Sequence, residues 1–301
     1  MPSANAKPTA KVFTPGWRHF RLSMKKLCLV CGICWAVSSG CFARDAYRFL
    51  SEVAIGGEGG WDILTIEPTA NRLYLSHATK VVVVDLGKSA VIGQIDNTPG
   101  VHAFVAVPEL QRGFSSNGKE DKASVVDLKT LQTTSKIDTG PNPDAIVYEP
   151  KRHEVYVFNH TGNSCTVIDP KSASVITTIQ LGGSPEFAAV DKATGRIYCN
   201  IEDKSEVAVI DTSKHEVIAR WPLAPGEGPS GIALDATHHR LFSGCHNKMM
   251  VMLDTESGKV VGSVPIGSGV EAVPSMTQRS SRSRLAETAQ RQSRENKPQT
   301  N

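Results

Sequence analysis

Aspartates at positions 85, 127, 169, 211 and 254 stand 42, 42, 42 and 43 residues apart. Each closes a short apolar phrase: VVVVDL (81–86), SVVDL (124–128), TVIDP (166–170), AVIDT (208–212) and VMLDT (251–255). An aromatic keeps similar time at Tyr74, Phe114, Tyr156, Tyr198 and Phe242. So do Pro/Gly-rich stretches at 56–60, 97–100, 139–143, 182–185, 224–231 and 267–269. A period of this length means a solenoid or a propeller.

The first unit shows which. WDILTIEP (61–68), RLYLSH (72–77), KVVVVDLG (80–87) and AVIGQI (90–95) alternate or run in short apolar blocks bounded by turn residues. That is the pattern of four strands. No stretch carries a helical period over ten or more residues, so a helical repeat is excluded. Four strands per unit make one propeller blade. The expected fold is all-β, with five full blades, an outer strand at AYRFLSEVAI (46–55) and an incomplete ring. Asp85, Asp127, Asp169, Asp211 and Asp254 are read as frame residues. An aspartate at a strand exit accepts hydrogen bonds from turn N–H groups two or three residues on. Five equivalent copies cannot be one active site.

RLYLSH (72–77), EVYVFN (154–159), RIYCN (196–200) and the strand seen as TVIDP and AVIDT resemble the YVTN repeats of the YncE-like propellers. The resemblance covers about residues 46–270. It implies a seven-bladed ring and export to the periplasm or beyond, with no common activity. The family also resembles the propellers of quinoprotein dehydrogenases and of nitrite and nitrous-oxide reductases. The chain departs from the pattern after GSGVEAV (267–273), where a further first strand is due. Residues 274–301 are instead polar and rich in Arg, Ser and Gln, a composition that cannot bury a core. Pro-Ser-Met-Thr-Gln written CCT TCG ATG ACC CAG reads Phe-Asp-Asp-Pro from its third base. The expectation is a frameshift near Val273, which the gene sequence tests.

Four segments follow. Residues 1–23 read as an extension ahead of the true start at Met24. Residues 24–43 read as a signal peptide: Lys25 and Lys26, then an apolar stretch from Leu27 to Val37, then a small-x-small exit at Cys41-Phe42-Ala43. The propeller spans 44–270, and 271–301 is a disordered, out-of-frame tail. A variant reading makes SSGC (38–41) a lipobox with Cys41 lipidated. Cys28, Cys31 and Cys34 fall inside the export segment. Cys165, Cys199 and Cys245 read as buried apolar thiols in strands.

The formal net charge of +3 conceals a division. Residues 44–270 hold 21 basic and 27 acidic side chains, a net of −6. That argues against a phosphate-binding surface and makes nucleic acid an improbable partner, even with Trp61 and Phe104 available for stacking.

In a propeller, the loops from second to third strand share one face with the links between blades. Ligands sit on that face, around the central channel. In this chain it carries Trp61, His77, His102, Asn117, Asn142, Asn159, His160, Glu186, Asn200, Glu202 and His246. His77, His102, His160 and His246 are the metal candidates, since imidazole suits zinc or copper. Four more histidines, at 153, 215, 238 and 239, fall in turns of the other face, so the loop face is not enriched. Neither a metal nor a cofactor is expected. GEGPSG (226–231) precedes a strand rather than opening a helix, so it is no dinucleotide fingerprint.

The leading expectation is an exported binding or scaffolding propeller, recognising a small molecule, peptide or protein on its loop face. The alternatives are a lactonase-like or quinoprotein-related enzyme with a channel site, and a truncated member without function.

Overall fold

The computed structural model describes residues 52–273. The signal segment, the extension before it, Cys41 and all but the first three residues of the expected tail lie outside them. Twenty strands form five four-stranded antiparallel sheets in chain order. Blade one is β1 (Trp61–Glu67), β2 (Arg72–His77), β3 (Lys80–Asp85) and β4 (Ala90–Ile95). Blade two is β5 (Val101–Val107), β6 (Arg112–Asn117), β7 (Lys122–Asp127) and β8 (Thr133–Asp138). Blade three is β9 (Pro143–Glu149), β10 (Glu154–Asn159), β11 (Ser164–Asp169) and β12 (Ser174–Gln180). Blade four is β13 (Pro185–Asp191), β14 (Arg196–Ile201), β15 (Glu206–Asp211) and β16 (Glu216–Pro222). Blade five is β17 (Pro229–Asp235), β18 (Arg240–Cys245), β19 (Met249–Asp254) and β20 (Val260–Pro265). The fold is a β-propeller of five blades.

The first strand of each blade is innermost, and these strands pack side by side: β1 on β5, β5 on β9, β9 on β13, β13 on β17. In β3, Val81 and Val83 pack into the junction with blade two, and Val82 and Val84 on the other face are buried as well. The outer strands β4, β12 and β20 face water and carry exposed side chains instead.

Four apolar clusters hold the blades together, one at each junction. Tyr74, Val83 and Phe104 join blades one and two, and Phe114, Val125 and Val157 join two and three. Phe158, Cys165, Ile197 and Cys199 join three and four, and Tyr198, Leu223, Leu241 and Val251 join four and five. Cys165, Cys199 and Cys245 are free and buried. Among the described residues no such cluster joins blade five to blade one. β1 shows the consequence, with Leu64 at 59% and Ile66 at 57% exposed where their counterparts in later blades are covered. The far end is partly covered, because Val270–Val273 lie against Gly231 and Gly244 of β17 and β18.

The expected outer strand at 46–55 falls mostly outside the described residues. Residues 46–51 lie outside the described part, and 52–55 are not in a strand. Blade five supplies its own outer strand, β20. Residues 56–60 cross over His77 instead. A Cβ at Gly57 would come within 2.6 Å of the His77 ring, and Gly57 has φ of +100°.

Each repeated aspartate accepts hydrogen bonds from the turn that follows it. Asp127 Oδ1 takes the N–H groups of Lys129 and Thr130 at 2.9 and 2.7 Å. Asp85 takes that of Lys88, Asp169 that of Lys171, Asp211 that of Ser213 and Asp254 that of Ser257. These bonds favour the ionised form and hold all five carboxyls below their ordinary range. A carboxyl with a depressed folded pKa stabilises the fold above its unfolded value and loses that contribution as pH falls through the folded one. The urea midpoint is therefore expected to fall steadily between pH 5 and pH 2.5. An Asp169→Asn variant should show a shallower fall than the wild type; parallel curves would refute the turn assignment.

Candidate functional site

The site is built by a recurring irregularity. In every blade the pairing of the innermost strand with its neighbour slips near its first residues: between Trp61 and Leu64, Val101 and Ala103, Pro143 and Ile146, Pro185 and Ala188, Pro229 and Ile232. A bulge bends its strand and re-aims a side chain. The second residue of the strand falls inside it each time. These residues are Asp62, His102, Asp144, Glu186 and Ser230. The frame thus delivers one side chain per blade to the axis, and their identities are free to differ.

Their mutual geometry makes a chain of acids and imidazoles. His102 Nδ1 lies 2.7 Å from Asp62 Oδ2 and 3.7 Å from Asp144 Oδ1. His160, in the loop between β10 and β11, places Nδ1 3.0 Å from Glu186 Oε1 and Nε2 4.0 Å from Glu202 Oε2. His246 Nδ1 is 3.2 Å from Glu202 Oε1. Three histidines and four carboxylates from all five blades form one continuous cluster.

Its electrostatics follow from this spacing. The Glu186 carboxylate beside His160 pushes the imidazole up to about 9, against the cost of partial burial. Asp62 raises His102 in the same way. Burial pushes the Asp144 carboxyl up to about 6. Among the described residues no hydrogen bond satisfies that carboxylate, which is 19% exposed; His102 lies 3.7 Å away, with its Nδ1 already engaged by Asp62.

Other residues read as loop-face candidates lie elsewhere. His77 is fully buried, stacked on Trp61 at 3.8 Å, and neither ring nitrogen has a hydrogen-bond partner. Trp61 itself remains 49% exposed. Asn117 and Asn159 end equivalent strands and are buried, donating to Ser124 and to Ser164 and Thr166 of the neighbouring strands. Asn200 reaches across a blade junction to the carbonyls of Ser230 and Gly231. Asn142 is the exception: its backbone N–H donates to Asp121, and its side-chain oxygen lies close to His102 over Gly118. Phe104 packs on Tyr74 inside a junction, out of reach of any stacked base.

Asp62 and Asp144 escaped the sequence reading, which took loop tips and inter-blade links as the positions facing the channel. The signal was present: 62, 102, 144 and 186 fall 40, 42 and 42 residues apart. A separate cavity of about 520 Å³ opens near Glu109, Arg152, His153 and Lys171, around turns of the opposite face.

No protein-family model matches the sequence. No curated protein matches it either. Among solved structures the chain is similar to hydrazine synthase of Kuenenia stuttgartiensis, at 18% identity over 69% of this chain and 87% of that one, with a TM-score of 0.53. At that identity the likeness shows the fold, and a propeller fold by itself assigns no chemistry.

Proposed function

We propose that this protein is an exported binding propeller of the YVTN-repeat type that takes a cationic ligand at its axis. The observation that carries the reading is the convergence of Asp62, Asp144, Glu186 and Glu202 with His102, His160 and His246 on the loop face. Four carboxylates outnumber three imidazoles, so the cluster stays net negative even with His160 protonated, and low-dielectric walls strengthen its attraction for a positive group. The net of −6 over residues 44–270 points the same way. Export rests on the sequence of residues 24–43, and the repeat type on RLYLSH, EVYVFN and RIYCN.

Thermal unfolding in the presence of arginine methyl ester, simple diamines and divalent metal salts tests the reading. At least one class should raise the midpoint of the wild type and fail to raise that of Asp144→Asn/Glu186→Gln. Equal shifts in both proteins, or none in either, would refute it.

A further inference from the structure

We propose that Asp144, His160 and Glu186 bind a divalent transition-metal ion of the zinc class. The proposal rests on the axial cation site above and names the cation. One donor atom from each residue lies within 4.8 Å of the other two. Zinc bonds of about 2.0–2.2 Å place tetrahedral donors roughly 3.3–3.6 Å apart, a contraction within reach of small side-chain rotations. One imidazole with two carboxylates is a donor set that zinc accepts, with a further position open to water or a ligand group.

The alternative is a purely internal ion pair, with His160 as an imidazolium against Glu186. It leaves Asp144 unexplained. That carboxylate is half-buried, shares blade three with His160, faces Glu186 of blade four, and accepts no hydrogen bond among the described residues. A half-buried carboxylate without a protein donor turns to water or a cation for its partner, and a shared metal ion would supply one. The surroundings match what holds metal ligands in place. With one His160 nitrogen on the metal, the other faces Glu202, which is itself paired with His246. At 4.0 Å the Glu202 carboxylate is beyond hydrogen-bond reach and acts on the ring as a neighbouring negative charge. Asp144 and Glu186 project from β9 and β13, strands pinned on both sides by neighbouring blades, so the donors are pre-positioned.

The test is calorimetric titration of the full chain with zinc chloride after removal of metal by chelator. Asp144→Asn, Glu186→Gln, His160→Gln and His238→Gln are titrated alongside, each shown to be folded by circular dichroism. The wild type should bind one zinc through nitrogen and oxygen donors, beyond any held by Cys28, Cys31, Cys34 and Cys41. X-ray absorption distinguishes the two sites, since only the cysteine site has sulfur neighbours. Asp144→Asn, Glu186→Gln and His160→Gln should each weaken that zinc at least tenfold. His238→Gln, which alters an exposed pair with Asp235 on the opposite face, should leave it unchanged. No zinc on nitrogen and oxygen donors, or equal binding in all variants, overturns the proposal. If zinc fails while a protonated amine still stabilises only the wild type, the metal proposal falls and the axial reading stands. If no cation binds, both fall.

Discussion

Replacing Phe158 with alanine is expected to lower stability by about 3–5 kcal/mol, the usual cost of emptying a fully buried aromatic site. Phe158 is fully buried in the cluster between blades three and four, among Cys165, Ile197 and Cys199. Both walls of the cavity belong to rigid sheets, so little collapse can fill it. A loss of that size should lower the unfolding midpoint by roughly 6–20 °C, at about 2–4 °C per kcal/mol for a domain of this size. Ile66→Ala is the matched control. Ile66 sits on β1 and is 57% exposed, so its removal should change stability by less than about 0.5 kcal/mol. It should also reduce light scattering at high concentration, because an exposed apolar face promotes association. Comparable destabilisation by both substitutions would mean that β1 is covered and the circuit of blades closed.

Asn200→Leu is the second large effect, expected at about 2–4 kcal/mol. The Asn200 amide donates to the Ser230 carbonyl at 2.8 Å and to the Gly231 carbonyl at 3.1 Å, and its oxygen accepts from Ser243 Oγ at 2.9 Å. It is fully buried, and its three partners all belong to the next blade. Leucine has a similar volume, so the loss comes from stranded polar groups rather than from a void. The same substitution should leave cation binding within twofold of wild type after correction for the unfolded fraction. A folded variant that lost binding would return Asn200 to the ligand site.

The blades were legible because each level of the chain repeats the same instruction. Period-two alternation, an aspartate at the third strand's exit and Gly/Pro turns recur together, and no other fold satisfies all three. The valine run of residues 81–84 was ambiguous by itself; stacking on blade two accounts for Val81 and Val83. The site was legible only in part. His102, His160, Glu186, Glu202 and His246 were found from their places in loops and links. Asp62 and Asp144 were not, because a bulge re-aims them and bulges leave no composition signal. His77 occupies a loop-tip position in the sequence, yet 56–60 and Trp61 close over it, and that contact is non-local. Asn117 and Asn159 recur at one blade position, which marks them as frame; in the sequence they resembled variable loop residues. The strand expected at 46–55 lies mostly outside the described residues, and 52–55 are not in a strand.

The most direct check on the axial convergence is the titration of His160 by NMR in metal-free protein. His160 comes from blade three and Glu186 from blade four, so only the folded arrangement couples them. Its imidazole should titrate near 9, well above the ordinary value of 6.5, and fall by more than one pH unit in Glu186→Gln. The protonated pair then stabilises the fold fully below pH 6.5 and loses that contribution as pH rises through 9. A His160 that titrates near 6.5 and does not respond to Glu186→Gln would contradict the convergence on which the cation site depends.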